Sequence, residues 1–226
     1  VTLDQLLRMS SGLEFWEVYF WLTEAVKMLF ILPDASGYAS SLPQEQEPDT
    51  KWSYSSGTTN IISGIVRRAV PDSAYWTFPQ DSLFNQIGMR SAVMEPDANG
   101  TFVGSSFMHA TPRDWARFGL LYLWEGQWNG KQILNKDWVH YAAEPTPTAG
   151  GIYGAQFWTN ADNPETGKRR WPSVPEDLFF ASGFEGQYVF IIPSRDLVVV
   201  RLGSTPERSR FSEEVFLSTL LEGIPE

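Results

Sequence analysis

The sequence predicts an α+β fold, and three observations predict it. Helix signals dominate residues 1–150. Short runs rich in Val, Ile, Tyr and Phe, bounded by turn residues, follow from about residue 150. One more helix signal, at about Ser212 to Glu222, closes the chain. The expected division is a mainly helical subdomain over residues 1–150, and antiparallel strands with a C-terminal helix over residues 151–226.

The elements follow in order. Thr2-Leu3-Asp4-Gln5 is a capping box, with Thr2 as N-cap and Gln5 reaching back. Its helix runs to about Ser10, and Gly12 suits the stop. In the aromatic stretch 15–32, Phe15, Val18, Leu22, Val26 and Leu29 recur at helical spacing. That spacing predicts a core-facing helix; a flap over a binding cleft is the alternative. Glu17, Glu24 and Lys27 within it speak against a membrane span. Residues 33–51 are rich in Pro, Ser, Gly and Glu and read as a loop. A helix is expected over 58–69, ended by Pro71, and another short one ends near Gly88. Thr111-Pro112-Arg113-Asp114 opens a helix that carries Trp115, Phe118, Leu121 and Tyr122 and stops at Gly126. Trp128-Asn129-Gly130-Lys131 is a tight-turn signal, and Asn135 caps a further short helix. The expected strands lie in 153–160, 178–182, 186–193 and 196–204, with Pro193-Ser194-Arg195-Asp196 as a hairpin connection.

The bulk numbers exclude several classes. A net charge of −10 over 226 residues argues against nucleic acid as a partner. The one compact basic run, Lys168-Arg169-Arg170, reads as a solvated loop. The absence of cysteine removes disulfides, thiolate metal sites and cysteine nucleophiles without fixing the compartment. His109 and His140 lie far apart and read as structural or surface residues, so no metal site and no cofactor are expected. Ten tryptophans supply a core and suggest a cleft lined with rings. The sequence contains no Gly-x-Ser-x-Gly, no Gly-x-Gly-x-x-Gly, no Walker-type loop and no His-Glu-x-x-His. No pair of carboxylates stands out for glycoside hydrolysis.

What remains is Tyr54-Ser55-Ser56-Gly57, directly before a helix. Either Ser55 or Ser56 caps that helix and Tyr54 packs, or Tyr54 and Ser56 project into a cleft. A tyrosine serves as general base only if nearby cations pull its phenol well below its ordinary value of about 10. A lysine must then stand close in space.

Four stretches resemble the serine β-lactamase / penicillin-binding-protein superfamily, in the right order over nearly the whole chain. They are similar to class C-like serine hydrolases, which include esterases, D-amino-acid peptidases and 6-aminohexanoate-dimer hydrolases. "TLDQLLRMSSGL" resembles the helix and turn that follow the nucleophile helix, and "YSSGTTNIISGIVRRA" the second motif, here Tyr54-Ser55-Ser56. Residues 87–123 resemble the helical subdomain, and "FFASGFEGQYVFIIPSRDLVVVRLG" the third motif and last two strands. The resemblance implies a β-lactamase/transpeptidase-like fold: an antiparallel sheet flanked by helices, plus a helical subdomain. It implies Tyr54 as base and proton relay, Ser56 as a substrate hydrogen-bond partner, and Phe184-Glu185-Gly186 as the strand-borne third motif. It makes the backbone N–H of Gln187 half of an oxyanion hole and Ser182 a further hydroxyl near the triplet. It also implies a periplasmic or secreted setting, although no secretory signal occurs in this sequence.

Two departures qualify what the resemblance implies. The family's Ser-x-x-Lys is missing: the residues three before Lys27, Lys51, Lys131, Lys136 and Lys168 are Glu24, Pro48, Trp128, Ile133 and Glu165. The expectation is a fold incomplete at its N-terminus, a nucleophile on an upstream segment, and a chain that alone is inactive. An exposed sheet edge would then favour a homodimer. Phe184 stands where relatives tend to carry a cation or imidazole, so the expected substrates are small esters or amides without a nearby carboxylate. The alternatives are a non-catalytic binding protein of the same fold and, more remotely, an unrelated aromatic-rich carbohydrate binder.

Overall fold

A computed structural model describes residues 1–206 and 211–224. The chain divides into two units: Val1–Gln86 with Arg90–Ala110, and Ile87–Met89 with Thr111–Glu226.

In the first unit, local chemistry fixes the helix starts. Helix α1 (Leu3–Leu7) opens with the expected capping box: Gln5 N donates to Thr2 Oγ1 at 3.3 Å, and Thr2 N to Gln5 Oε1 at 2.8 Å. It ends sooner than the sequence suggests, because Met9 turns to φ +58°. A short α2 (Glu24–Val26) runs into a π-helical turn over Lys27–Ile31. Helix α3 (Ala35–Ser40) starts at Asp34, whose side chain accepts from Gly37 N at 2.7 Å. Helix α4 (Ser56–Ala69) starts at Ser55, whose hydroxyl accepts from Thr58 N at 3.1 Å. Helices α3 and α4 approach closely at Gly64, where an added Cβ would stand 1.9 Å from Ser36 Oγ. Short helices α5 (Asp72–Tyr75) and α6 (Asn85–Ile87) follow in the chain, and strands β1 (Val93–Met94) and β2 (Met108–His109) pair antiparallel. Phe15, Ala25, Met28, Ala35 and Ala39 form the unit's core.

The stretch 15–32 departs from the expected core-facing helix. Residues 15–23 are not helical. Trp16, Phe20 and Trp21 are 62 %, 74 % and 80 % exposed, and Val18 and Leu22 are exposed too. Only Phe15 and the Ala25–Leu29 turn reach the core. The helical spacing was coincidental, since periodicity over one apolar-rich stretch does not select a conformation when no core face is there to receive it. The loop expected over 33–51 likewise contains α3, because the Asp34 cap satisfies the free N–H of its first turn.

The second unit is three-layered. Helix α7 (Pro112–Leu123) is capped by Thr111, and Asn129 and Gly130, both at positive φ, join strands β3 (Gln127–Trp128) and β4 (Lys131–Gln132). Helix α8 (Lys136–Ala143) is capped by Asn135. Strands β5 (Trp158–Thr159), β6 (Phe179–Gly183), β7 (Gln187–Ile192) and β8 (Leu197–Arg201) form one antiparallel sheet in that order. Helix α9 (Glu213–Glu222) is capped by Ser212.

Strand alternation then assigns the faces. Phe179, Val189 and Ile191 pack with Tyr122, Val139 and Ala142 of α7 and α8. Phe180, Phe190 and Ile192 pack with Trp171, Val174 and, on α9, Leu217 and Leu221. A strand covered on both faces must be apolar at nearly every position, which is why β7 shows no polar alternation along Val189–Ile192. Among the described residues, no helix is long and apolar enough to cross a membrane.

Candidate active site

The expected site residues fall into two constellations, one in each unit. In the first, Ser55 caps α4 and Ser56 is its first residue, so the question of which serine caps is settled locally. Ser56 is buried and held by a group that sequence reasoning missed, Glu17. Ser56 N donates to Glu17 Oε2 at 2.7 Å, and Ser56 Oγ donates to Glu17 Oε1 at 2.7 Å. Tyr19 OH donates to the same Oε1 at 2.7 Å. A carboxylate at a helix N-terminus is favourably placed, because it meets free N–H groups and the positive end of the helix dipole.

Half-buried Tyr54 stands just before this turn. Burial, and then the Glu17 charge, push its phenol up to about 12. The Tyr19 phenol is raised further, by burial and then by Glu17. Both phenols are therefore neutral at physiological pH. The shift at Tyr54 runs opposite to what a base requires, and the charge that acts on it here is an anion.

The second constellation lies at the β6–β7 connection. The triplet Phe184-Glu185-Gly186 forms the turn itself rather than part of a strand, because Gly183 and Gln187 already pair as the last rung. Glu185 and Gly186 take positive φ values of 58° and 81°. The Gln187 side chain closes the turn, its Nε2 donating to Phe184 O at 3.2 Å. Arg201 ties it down from β8, donating to Gly186 O and, at 2.6 Å, to Thr205 Oγ1. Glu185 accepts from the Ser204 hydroxyl, and its carbonyl accepts from Thr205 N at 2.9 Å. Phe184 is 65 % exposed.

Ser182 and Gly186 line a cleft of about 260 Å³ on the α9 side of the sheet, walled by Trp158, Trp171, Phe180 and Tyr188. Phe184, Glu185 and Gln187 are outside its lining. Within the cleft the Tyr188 hydroxyl donates to Glu213. Burial first, and then Glu213, push that phenol up to about 12, while a hydrogen bond with Ser182 works the other way. Arg170 lies over Trp158 and Trp171, 5.2 and 5.1 Å from the ring centres. Arg169 pairs with Asp162 at 2.8 Å. Two of the three residues read as a solvated basic loop are thus engaged, because flanking rings and acids gather their guanidinium groups. Both histidines lie at the surface beside acids, His109 with Glu95 and His140 with Glu125.

A family model described as beta-lactamase matches residues 1–219. The chain belongs to the beta-lactamase family. Its fold is shared with several solved structures. A putative 6-aminohexanoate-dimer hydrolase from Bacillus anthracis is 24 % identical, with a TM-score of 0.75. That alignment covers 100 % of this chain and 62 % of the hydrolase, so this chain spans less than two thirds of that relative's length. A putative beta-lactamase from Bacteroides dorei is 17 % identical with a TM-score of 0.66, covering 98 % of this chain and 71 % of that one. A mutant simvastatin synthase from Aspergillus terreus is 14 % identical with a TM-score of 0.64, covering 99 % and 67 %. The β-lactamase/transpeptidase-like fold expected from the motifs is therefore the fold of this chain, and hydrolases are among its structural relatives.

Glu17 and Tyr19 carried one weak sequence signal, an acid and a hydroxyl inside the otherwise apolar residues 15–22. Glu213 and Arg170 carried none, because only the sheet register and the α9 packing bring them to Tyr188 and Trp158.

Proposed function

We propose that this chain serves a serine hydrolase that cleaves an ester or amide bond through an acyl-enzyme. Ser-x-x-Lys does not occur in its 226 residues, so the nucleophile is assigned to a segment outside this sequence. In that scheme the serine Oγ attacks the acyl carbon and its proton passes to the Lys–Tyr54 pair, which returns it to the departing alcohol or amine. Water then repeats the sequence and frees the acid. The backbone N–H of Gln187 serves as half of the oxyanion hole, and Ser56 and Ser182 serve as substrate hydrogen-bond partners.

The observation that carries the reading is the place of Tyr54 in the second motif, directly before the buried start of α4; its phenol, pushed up to about 12 by burial and then by Glu17, lacks the cation a base needs. A lysine ammonium brought beside it would lower that value and supply the missing cation. The exposed Phe184 offers no charge for a substrate carboxylate, which supports uncharged acyl substrates over β-lactams. The same contacts keep a second reading in play, a binding protein without chemistry: Glu17 takes up both the N–H and the hydroxyl of Ser56.

The test is to express the chain together with its upstream coding sequence and treat it with a fluorophosphonate probe and p-nitrophenyl esters. Labelling of one serine, with Tyr54→Phe lowering kcat/KM by about 10²–10⁴-fold, is the expected result. A protein that folds but neither labels nor turns over belongs to the binding reading.

A further inference from the structure

The segment Trp16–Leu22 presents a problem of its own. Trp16, Phe20 and Trp21 are among the most exposed large apolar side chains of the chain, yet Glu17 and Tyr19, interleaved with them, meet the buried start of α4. An irregular, apolar, solvent-facing strip has no ladder and little core contact to hold it in place. Among the described residues, Phe15 and Glu17 tie it to the start of α4. Phe15 packs against the first turn of α4, where an added Cβ on Gly57 would stand 2.5 Å from the Phe15 ring. Glu17 spans both donors of Ser56 and also receives Tyr19.

We propose that Glu17 is the positioning residue of this site: one carboxylate clasps the aromatic segment to the first turn of α4 and fixes the direction of the Ser56 hydroxyl. An ionised carboxylate only accepts hydrogen bonds, so Ser56 must point its proton at Glu17. Its lone pairs remain, and the Tyr19 hydroxyl also lies within hydrogen-bonding reach of Ser56. Toward any ligand Ser56 is then an acceptor, and the group it reads is a donor, N–H or O–H. That this ligand is the substrate of a hydrolase rests on the function proposed above; the clasp itself does not. The carboxylate also sets the field around Tyr54. Burial first, and then the Glu17 charge, keep Tyr54 protonated, and the neutral Tyr19 lies close to it as well. Catalysis by Tyr54 would then require a cation that outweighs Glu17, or an opened clasp.

The experiment uses this chain and needs no turnover. Tyrosine labelled at Cζ is followed by NMR from pH 8 to 11 in the wild type, Glu17→Gln and Glu17→Ala, with Tyr54→Phe identifying the signal. In parallel, chymotrypsin cleavage within 16–22 is timed. Glu24→Ala is the control, since the Glu24 carboxylate pairs with Lys27 at 3.8 Å and lies near Tyr38 rather than Ser56. In Glu17→Gln, which keeps the shape and removes the charge but not the burial, the Tyr54 signal should begin to move at a lower pH than in the wild type. In Glu17→Ala, cleavage should rise roughly tenfold or more, since charge-assisted hydrogen bonds are lost. Glu24→Ala should change neither. A Tyr54 signal that is the same in the wild type and Glu17→Gln, or a segment cleaved no faster in Glu17→Ala, overturns the proposal. A result of that kind in a protein that labels with fluorophosphonate would leave the hydrolase reading standing; a working clasp in a protein that never labels would do the reverse.

Discussion

Gly64→Ala should destabilise the first unit even though it improves an α-helix. Gly64 lies inside α4, where alanine is favoured over glycine by about 1 kcal/mol. The new methyl, however, would meet Ser36 Oγ at 1.9 Å and Ser36 Cβ at 2.8 Å. Carbon contacts are at their best near 3.5–4 Å. Ser36 is buried on α3 and cannot swing its Cβ away, so the helices must separate. Overpacking of this kind costs about 1–3 kcal/mol, and the 1.9 Å approach puts it at the upper end. The net loss is then about 2 kcal/mol. For a chain of this size that lowers the melting temperature by roughly 4–8 °C, read by circular dichroism. Removing the obstacle supplies the internal check. Ser36→Gly deletes both offending atoms and costs only a few tenths of a kcal/mol in helix propensity, roughly speaking. The double variant should return to within about 1 kcal/mol of the wild type, giving a clear coupling in a double-mutant cycle. A Gly64→Ala protein as stable as the wild type, or a double variant no better than the single one, would refute the argument that this contact sets the α3–α4 distance.

Two further outcomes follow from burial and charge. Trp16→Ala with Trp21→Ala should change stability by less than about 1 kcal/mol, because solvent already covers most of both rings; a loss of the size expected for a buried aromatic, about 3–5 kcal/mol, would show that they belong to a core. Asp49 accepts from Gln5 at 2.7 Å and Ser10 at 2.8 Å, and these bonds hold its carboxyl below the ordinary range. A depressed folded value means that its contribution is complete above the unfolded pKa of about 3.9 and is lost as pH falls through the lower folded value. The stability difference between the wild type and Asp49→Asn, measured by urea unfolding, should therefore be steady near pH 6 and shrink below about pH 4; a difference that grows on acidification would reverse the sign.

Some of this was legible in the residues and some was not. The caps at Thr2, Thr111 and Asn135 are where the sequence suggested, and Ser55 is one of the two serines it offered, because capping needs only a side chain and the N–H two or three residues on. The Asn129-Gly130 turn and the β7–β8 hairpin are equally local. The stretch 15–32 misled because apolar spacing was taken as a face, and whether a face is buried depends on what else arrives there. The candidate site divides in the same way. Tyr54 and Ser56 are visible as a motif, while the carboxylate that holds Ser56 lies 39 residues from it and reaches it only through the fold. Phe184–Gly186 looked like strand residues, yet the pairing of Gly183 with Gln187 makes them a turn.

The sequence alone determined the fold class, the helix starts after Thr2, Thr111 and Asn135, the tight turns and the absence of Ser-x-x-Lys, all of which are read along the chain. Only the tertiary structure decided that Glu17 clasps Ser56, that Tyr54 is held protonated, that α3 and α4 meet at Gly64, and that Arg170 and Tyr188 share a cleft. Each of these is a contact between residues distant in sequence. Its energy comes from distance, burial and charge, none of which a linear pattern carries.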